Sequence, residues 1–205
     1  MIKNVCILNY GLGNILSLKN AISHLGFKNN FYTDMVKKNY DCLIIPGVGS
    51  FAKAMSLIKR NKLEKIVQDA KKKNILIIGI CLGMQLLFNR GYEEKLTCGL
   101  SLIDGEIKII DKLNLKLPHV GWKKTQFLNV EKNSFFSKFE NQKFYYVHSY
   151  EAKLNDKKNI LATSHYQNYK FTAGVKKENL IGFQFHPEKS GEVGLELIKD
   201  LFRNH

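Results

Sequence analysis

Along the first half of the chain, short unbroken apolar runs alternate with apolar positions at helical spacing. Ile2–Leu8 is such a run and reads as a strand. A polar, glycine-rich turn follows, Asn9-Tyr10-Gly11-Leu12-Gly13-Asn14. Ile15, Leu18, Ile22 and Leu25 then recur on one face of a helix that Gly26 stops. Phe31–Thr33 and Asp41–Ile45 read as strands, the second running into Pro46-Gly47-Val48-Gly49. Helices are expected over Ser50–Lys59 and Lys62–Lys73, the latter with Leu63, Ile66, Val67 and Ala70 inward. Ile75–Ile80 is apolar throughout, as expected where helices cover both faces of a sheet, and a helix over Leu82–Asn89 follows. Repeated β-α-β units of this kind imply a parallel, doubly wound sheet.

The second half changes character. Leu100–Ile103, Glu106–Ile110, Lys123–Leu128, Lys143–Val147, Asn159–His165, Phe171–Lys176 and Ile181–Phe185 read as short strands parted by polar turns. Ser190–Phe202 reads as a closing amphipathic helix, with Val193, Leu195, Leu197, Ile198 and Leu201 as its apolar positions. No linker, repeat or low-complexity segment interrupts the chain. The expectation is one α/β domain over residues 1–205, a doubly wound, mostly parallel sheet flanked by helices with an added antiparallel section.

Composition changes this picture little. At 205 residues and 44% hydrophobic, the chain can bury a substantial core. Its formal charge of +14 raises the question of a polyanion partner. The basic residues argue against one: only Arg60, Arg90 and Arg203 are arginine, the lysines are spread along the chain, and no aromatic residues interleave with them. A lysine-rich solvated surface, without nucleic acid, is the reading adopted. Cys6, Cys42, Cys81 and Cys98 show no C-x-x-C spacing, and the first two fall in apolar strands, the usage of a reducing cytoplasm. The longest apolar run, Ile75 to Phe88, is broken by glycines and too short to span a membrane.

Candidate chemistry centres on Gly79-Ile80-Cys81-Leu82-Gly83. This is the G-x-nucleophile-x-G spacing of a strand-to-helix elbow, with sulfur in place of a hydroxyl. A cysteine at a helix N-terminus feels the positive end of the macrodipole, which favours thiolate. The elbow also aims the Leu82 N–H at whatever the sulfur attacks, and the Gly47-Val48-Gly49 loop is a candidate second donor for an oxyanion. His186-Pro187-Glu188 supplies an imidazole and a carboxylate to orient it, so Cys81, His186 and Glu188 form a candidate triad. Pro46, Cys81 and Pro187 all follow apolar strands, so their loops can meet outside the carboxyl ends of one sheet. His119, His148 and His165 lack metal-ligand spacing, and no metal is expected. Trp122 is the sole tryptophan and follows the loop Pro118-His119-Val120-Gly121.

GICLGMQ, PGVG and HPEKS together resemble the class I glutamine amidotransferases, whose triad is Cys-His-Glu. NYGLGN at residues 9–14, PHVGW at 118–122, YVHSY at 146–150 and FHPEKSGEVGLELI at 185–198 are similar to the glutaminase subunits of imidazole glycerol phosphate synthase. Met84 points the same way, because anthranilate- and GMP-type amidotransferases usually carry histidine there. The resemblance covers nearly the whole chain. It implies that Cys81 attacks glutamine, and that Gln85 and His148-Ser149-Tyr150 hold the substrate backbone, with Gly49 near the oxyanion. It implies a (β/α)₈-barrel cyclase as partner in a heterodimer, meeting Asn14, the Pro118–Trp122 loop including His119, and Lys189. No cofactor is implied. Residues 89–100 depart from the family by lacking its serine-glutamate-glycine stretch, which puts the role of Glu93 or Glu94 in doubt. A paralogue supplying ammonia for acetamidino-sugar synthesis would show the same site motifs.

Overall fold

The computed structural model describes residues 1–32, 40–110, 115–128, 131 and 134–205. The first half contains strands Asn4–Ile7 (β1), Lys28–Phe31 (β2), Cys42–Ile45 (β3) and Leu76–Ile80 (β4), with helices Ile15–His24 (α1), Phe51–Arg60 (α2), Glu64–Lys72 (α3) and Leu82–Leu86 (α4). Asn14 caps α1 and Ser50 caps α2, each side chain accepting from a backbone N–H of the first turn. Strands Phe88–Gly91 (β5), Thr97–Cys98 (β6), Ile103–Ile109 (β7), His119–Phe127 (β8), Lys143–His148 (β9) and Tyr150–Leu154 (β10) follow. Ile160–Tyr166 (β11), Tyr169–Lys177 (β12), Leu180–Phe183 (β13) and helix Gly191–Arg203 (α5) complete the chain.

Nine strands form one sheet in the order β2-β1-β3-β4-β13-β12-β11-β8-β9. The first five run parallel, and from β13 onward each neighbour is antiparallel. The antiparallel section is thus a continuation of the parallel half rather than a separate layer. A second, four-stranded sheet, β10-β7-β5-β6, packs beside it. Strand periodicity divides the core. Val5, Ile7, Ile44, Ile78 and Ile80 face one way, onto Leu18 and Ile22 of α1 and Leu197, Leu201 and Phe202 of α5. Leu8, Leu43, Ile45 and Ile77 face the other way, onto Met55 and Ile58 of α2 and Val67 of α3. Both faces of the parallel half are covered, which is why those strands read as unbroken apolar runs.

Four sequence-based expectations are corrected by the structure. The helix expected over Leu82–Asn89 ends at Leu86, and Phe88–Gly91 turns into β5. Leu100–Leu102 is not a strand. Its backbone N–H groups bond the carbonyls of Leu86, Leu87 and Phe88, at the end of α4 and just past it. Pro118–Gly121 is not wholly a loop either: β8 begins at His119 and pairs with β9, His119 opposite His148 and Trp122 opposite Tyr145. The strand expected at Phe31–Thr33 is β2, lying earlier, and Thr33 falls outside the described residues.

Candidate active site

Strand β4 delivers Cys81 into a bend that only special surroundings permit. Its backbone has φ +54° and ψ −111°, a left-handed φ that costs an L-residue roughly 1–2 kcal/mol. The glycines two residues to either side make the bend possible. A Cβ on Gly79 would lie 2.7 Å from the backbone of Met84, and one on Gly83 would overlap the Ile45 carbonyl. The Cys81 N–H donates to Phe183 O at 2.7 Å, which ties the elbow to β13. The sulfur has a donor 3.8 Å away in Gln184 Nε2 and an acceptor 3.7 Å away in the Val147 carbonyl. Helix α4 has only five residues, so its dipole is a minor aid to the sulfur.

The imidazole arrives from the neighbouring strand. β13 runs parallel to β4 with Phe183 opposite Ile80, so the residues after each strand end emerge side by side. His186 Nδ1 meets Glu188 Oε1 at 2.8 Å, and both side chains are almost wholly buried. Burial alone would drive the ring neutral. The Cys81 sulfur and the Glu188 carboxylate outweigh it and raise the His186 pKa to about 10. Its other nitrogen, Nε2, is buried without a hydrogen-bond partner among the described residues. The turn is pinned by its backbone: His186 N–H donates to Tyr145 O at 2.9 Å, and Ser190 Oγ donates to His186 O at 2.6 Å.

A cleft of about 560 Å³ opens over the sulfur. Val48, Gly49, Leu82, Gln85, His148, Ser149 and Tyr150 line it. Gly47 is buried beneath, where a Cβ would overlap the Tyr10 hydroxyl; that hydroxyl donates to Pro46 O at 2.5 Å and braces the loop. Gly49 holds φ +106° with open space around it. Glu93 lines the cleft while Glu94 is exposed outside it. The Glu93 carboxylate accepts from the Phe51 N–H at 2.7 Å, at the start of α2. Burial moves its pKa up against the opposing pull of that hydrogen bond. A second depression of about 530 Å³, around Leu128, Lys158 and Glu178, contains none of these residues.

Pro118 and Lys189 sit on the cleft's rim. Trp122 is exposed and stands edge-on to Tyr145, itself a lining residue. Asn14 is exposed at the tip of α1, and that helix packs against the Pro187–Lys189 turn. His119 departs from its expected place on the surface: it is fully buried, stacked on Tyr166 with ring centroids 4.3 Å apart. His148 Nδ1 donates to Tyr150 O at 2.8 Å, so its Nε2 must accept, and His119 Nδ1 donates to it at 3.1 Å. Burial drives both rings neutral, His148 to a pKa of about 3 and His119 to about 4. Sequence reasoning missed Gln184, which is wholly buried against the sulfur. Its signal was one polar residue inside the apolar run Ile181–Phe185.

Residues 6–204 match the family described as Glutamine amidotransferase class-I. The chain is 41% identical to imidazole glycerol phosphate synthase subunit HisH of Lactococcus lactis, the match covering 96% of each chain. It is also 41% identical to the HisH subunit of Oceanobacillus iheyensis, over 95% of this chain and 96% of that one. Among solved structures it is similar to PurLQS from Thermotoga maritima, with a TM-score of 0.77 and 20% identity over 100% of this chain and 99% of that one. The glutaminase domain of Trypanosoma brucei CTPS, solved with bound acivicin, aligns with a TM-score of 0.65 and 17% identity over 98% and 94% of the two chains. The last two establish likeness of fold. With the match along nearly its full length and relatives this similar, the chain belongs to the class I glutamine amidotransferases, in the family of imidazole glycerol phosphate synthase subunit HisH.

Proposed function

We propose that this chain hydrolyses glutamine through Cys81, His186 and Glu188 and passes the ammonia to a (β/α)₈-barrel cyclase in histidine biosynthesis. The observation that supports the triad is the register of β4 and β13, by which Cys81, a cleft residue, and the buried His186–Glu188 pair follow the ends of adjacent parallel strands. The Cys81 thiolate attacks the side-chain amide carbon of glutamine. The negative charge formed on oxygen is taken by the Leu82 N–H and an N–H of the Val48–Gly49 loop. His186 Nε2–H gives its proton to the departing nitrogen, and the C–N bond breaks to leave a thioester. Water then attacks with His186 as base, releasing glutamate and restoring the thiolate. Gln85 spends both Nε2 hydrogens on Tyr150 O and Gln184 Oε1, at 3.1 and 3.0 Å, which leaves its Oε1 for the substrate's ammonium group.

The barrel subunit would meet Asn14, Pro118, Trp122 and Lys189, of which Pro118 and Lys189 line the cleft. It would add the ammonia to a ribonucleotide intermediate, giving imidazole glycerol phosphate and aminoimidazole carboxamide ribotide. One feature couples that face to the chemistry. Gly13, beside Asn14, packs on the Gly47–Val48 backbone, where a Cβ would lie 3.3 Å from Gly47 Cα.

The deciding experiment pairs the purified chain with candidate barrel subunits and assays formation of the imidazole product from glutamine and the phosphoribulosyl precursor. A pair that turns over, and loses turnover in Cys81→Ala, supports the reading. A second reading is favoured by relatives named as a second subunit, HisH 2, in Methanococcus maripaludis and Vibrio vulnificus at 39% and 40% identity. A second copy can serve another ammonia acceptor, such as an acetamidino-sugar synthase, and productive pairing with that enzyme alone would select it.

A further inference from the structure

The floor of the cleft carries a chain of polar groups whose directions can be assigned from one end. The Tyr150 carbonyl can only accept, and it takes bonds from His148 Nδ1 at 2.8 Å and Gln85 Nε2 at 3.1 Å. The Gln85 amide is therefore fixed with its nitrogen inward. The Gln184 atom 3.0 Å from that nitrogen must then be Oε1, because two amide nitrogens cannot bond each other. Gln184 is 0% exposed, so its remaining hydrogens have no water to turn to. Its Nε2 faces the Cys81 sulfur at 3.8 Å. The Val147 carbonyl, 3.7 Å from the sulfur, suits the S–H of the neutral thiol and repels the thiolate. Ionisation thus exchanges one neighbour for the other.

We propose that Gln184 is a further catalytic residue of this site: its side-chain N–H, aimed by Gln85, stabilises negative charge on the Cys81 sulfur. The proposal rests on Cys81 being the nucleophile. The charge appears twice in the reaction. It is present on the attacking thiolate, and it returns when water's oxygen displaces the sulfur and the C–S electron pair goes back to it. The water's proton goes to His186, so His186 cannot be a full counter-ion to the leaving sulfur until that transfer is complete. A neutral amide has the advantage of donating at every pH without titrating. Hydrogen bonds to charged groups are stronger than neutral ones, while sulfur is a weaker acceptor than oxygen, so an effect of roughly tenfold is expected.

The test uses the full chain. Alkylation of Cys81 by iodoacetamide is followed by mass spectrometry from about pH 5 to pH 10, which separates it from the exposed Cys98. In Gln184→Met the alkylation midpoint should rise by about one pH unit, and glutamate release should fall roughly tenfold with KM within about twofold. Gln184→Glu, which places a carboxylate at the sulfur, should raise the midpoint further. An unmoved midpoint in either folded variant overturns the proposal, as does a change confined to KM. Should both variants fail to fold, nitrogen-15 NMR of the unsubstituted chain decides: the Gln184 side-chain NH₂ signal should shift as Cys81 ionises, and a stationary signal refutes the idea. Cys81→Ser separates the two readings. If it keeps full glutaminase activity the nucleophile assignment itself fails; if it is dead while Gln184→Met behaves as wild type, only the role of Gln184 falls.

Discussion

A single residue whose backbone holds a left-handed φ sets the terms for the residues around it. Cys81 tolerates that strain because Gly79 and Gly83 let β3 and α4 close on the elbow, and because Phe183 accepts its N–H. The imidazole it faces is held charged by the sulfur and Glu188, against the opposition of burial. Glu188→Gln should therefore lower glutamine turnover by roughly 10²–10⁴-fold, the span of general acid–base contributions, with little change in KM. The same pair fixes a pH dependence of stability. A ring at 6.5 when unfolded and about 10 when folded contributes fully below pH 6.5 and loses its contribution as pH climbs toward 10. Urea titrations should then show Glu188→Gln less stable than the parent at pH 7 and the two converging near pH 10. Cys81, His186 and Glu188 were legible in the sequence because each stands in a short motif with its own chemistry. Gln184 and Tyr10 were not. A lone glutamine in an apolar run or a tyrosine in a glycine-rich turn carries no mark of the group it will meet from a segment about a hundred or several tens of residues away.

Elements show the same division between what patterning states and what packing decides. The parallel strands and α1, α2, α3 and α5 stand close to where apolar spacing put them, since each buries one stripe against a sheet face. The stretch after α4 did not, because the helix stops at Leu86 and the carbonyls of residues 86–89, at its end and just beyond, take the 99–102 backbone N–H groups. Gly83→Ala should destabilise the fold by about 1–3 kcal/mol or more, because the added methyl meets backbone that cannot yield; chemical denaturation measures it. Gly49→Ala meets no atom within 4 Å and should leave the fold largely intact while impairing turnover through its φ of +106°. The β8–β9 pair predicts acid lability. His119 and His148 are cross-strand partners whose folded pKa values, about 4 and about 3, lie below the unfolded 6.5, so stability is full above pH 6.5 and falls as pH drops toward 4. His119→Gln keeps a donor for His148 and removes one titrating ring, so its melting temperature should fall less steeply between pH 6.5 and 4.

For the whole molecule, the sheet gathers the candidate chemistry at one end, beyond the ends of β4 and β13. Val48, Trp122 and Leu16 are exposed apolar residues, Trp122 at 49% and Leu16 at 60%. If the proposed barrel subunit docks here, Trp122→Ala should weaken the association by about 2 kcal/mol, near thirtyfold in Kd, while Cys81 alkylation in the free chain stays unchanged; calorimetry and alkylation together check this. Among the described residues neither Val48 nor Gly49 N–H is engaged by another backbone carbonyl, so those two N–H groups are free of the backbone ladder in the chain alone. Addition of the barrel should accordingly raise glutamine turnover by at least about tenfold. Equal turnover with and without it would contradict the coupling through Gly13. Strand β13 has one more consequence. It reaches its place beside β4 only after some hundred further residues have been made, so the thiol of a half-translated chain has no base next to it. On the proposed triad, ribosome-bound precursors should not hydrolyse glutamine, and the cell would forfeit no nitrogen to copies of the protein that are still being synthesised.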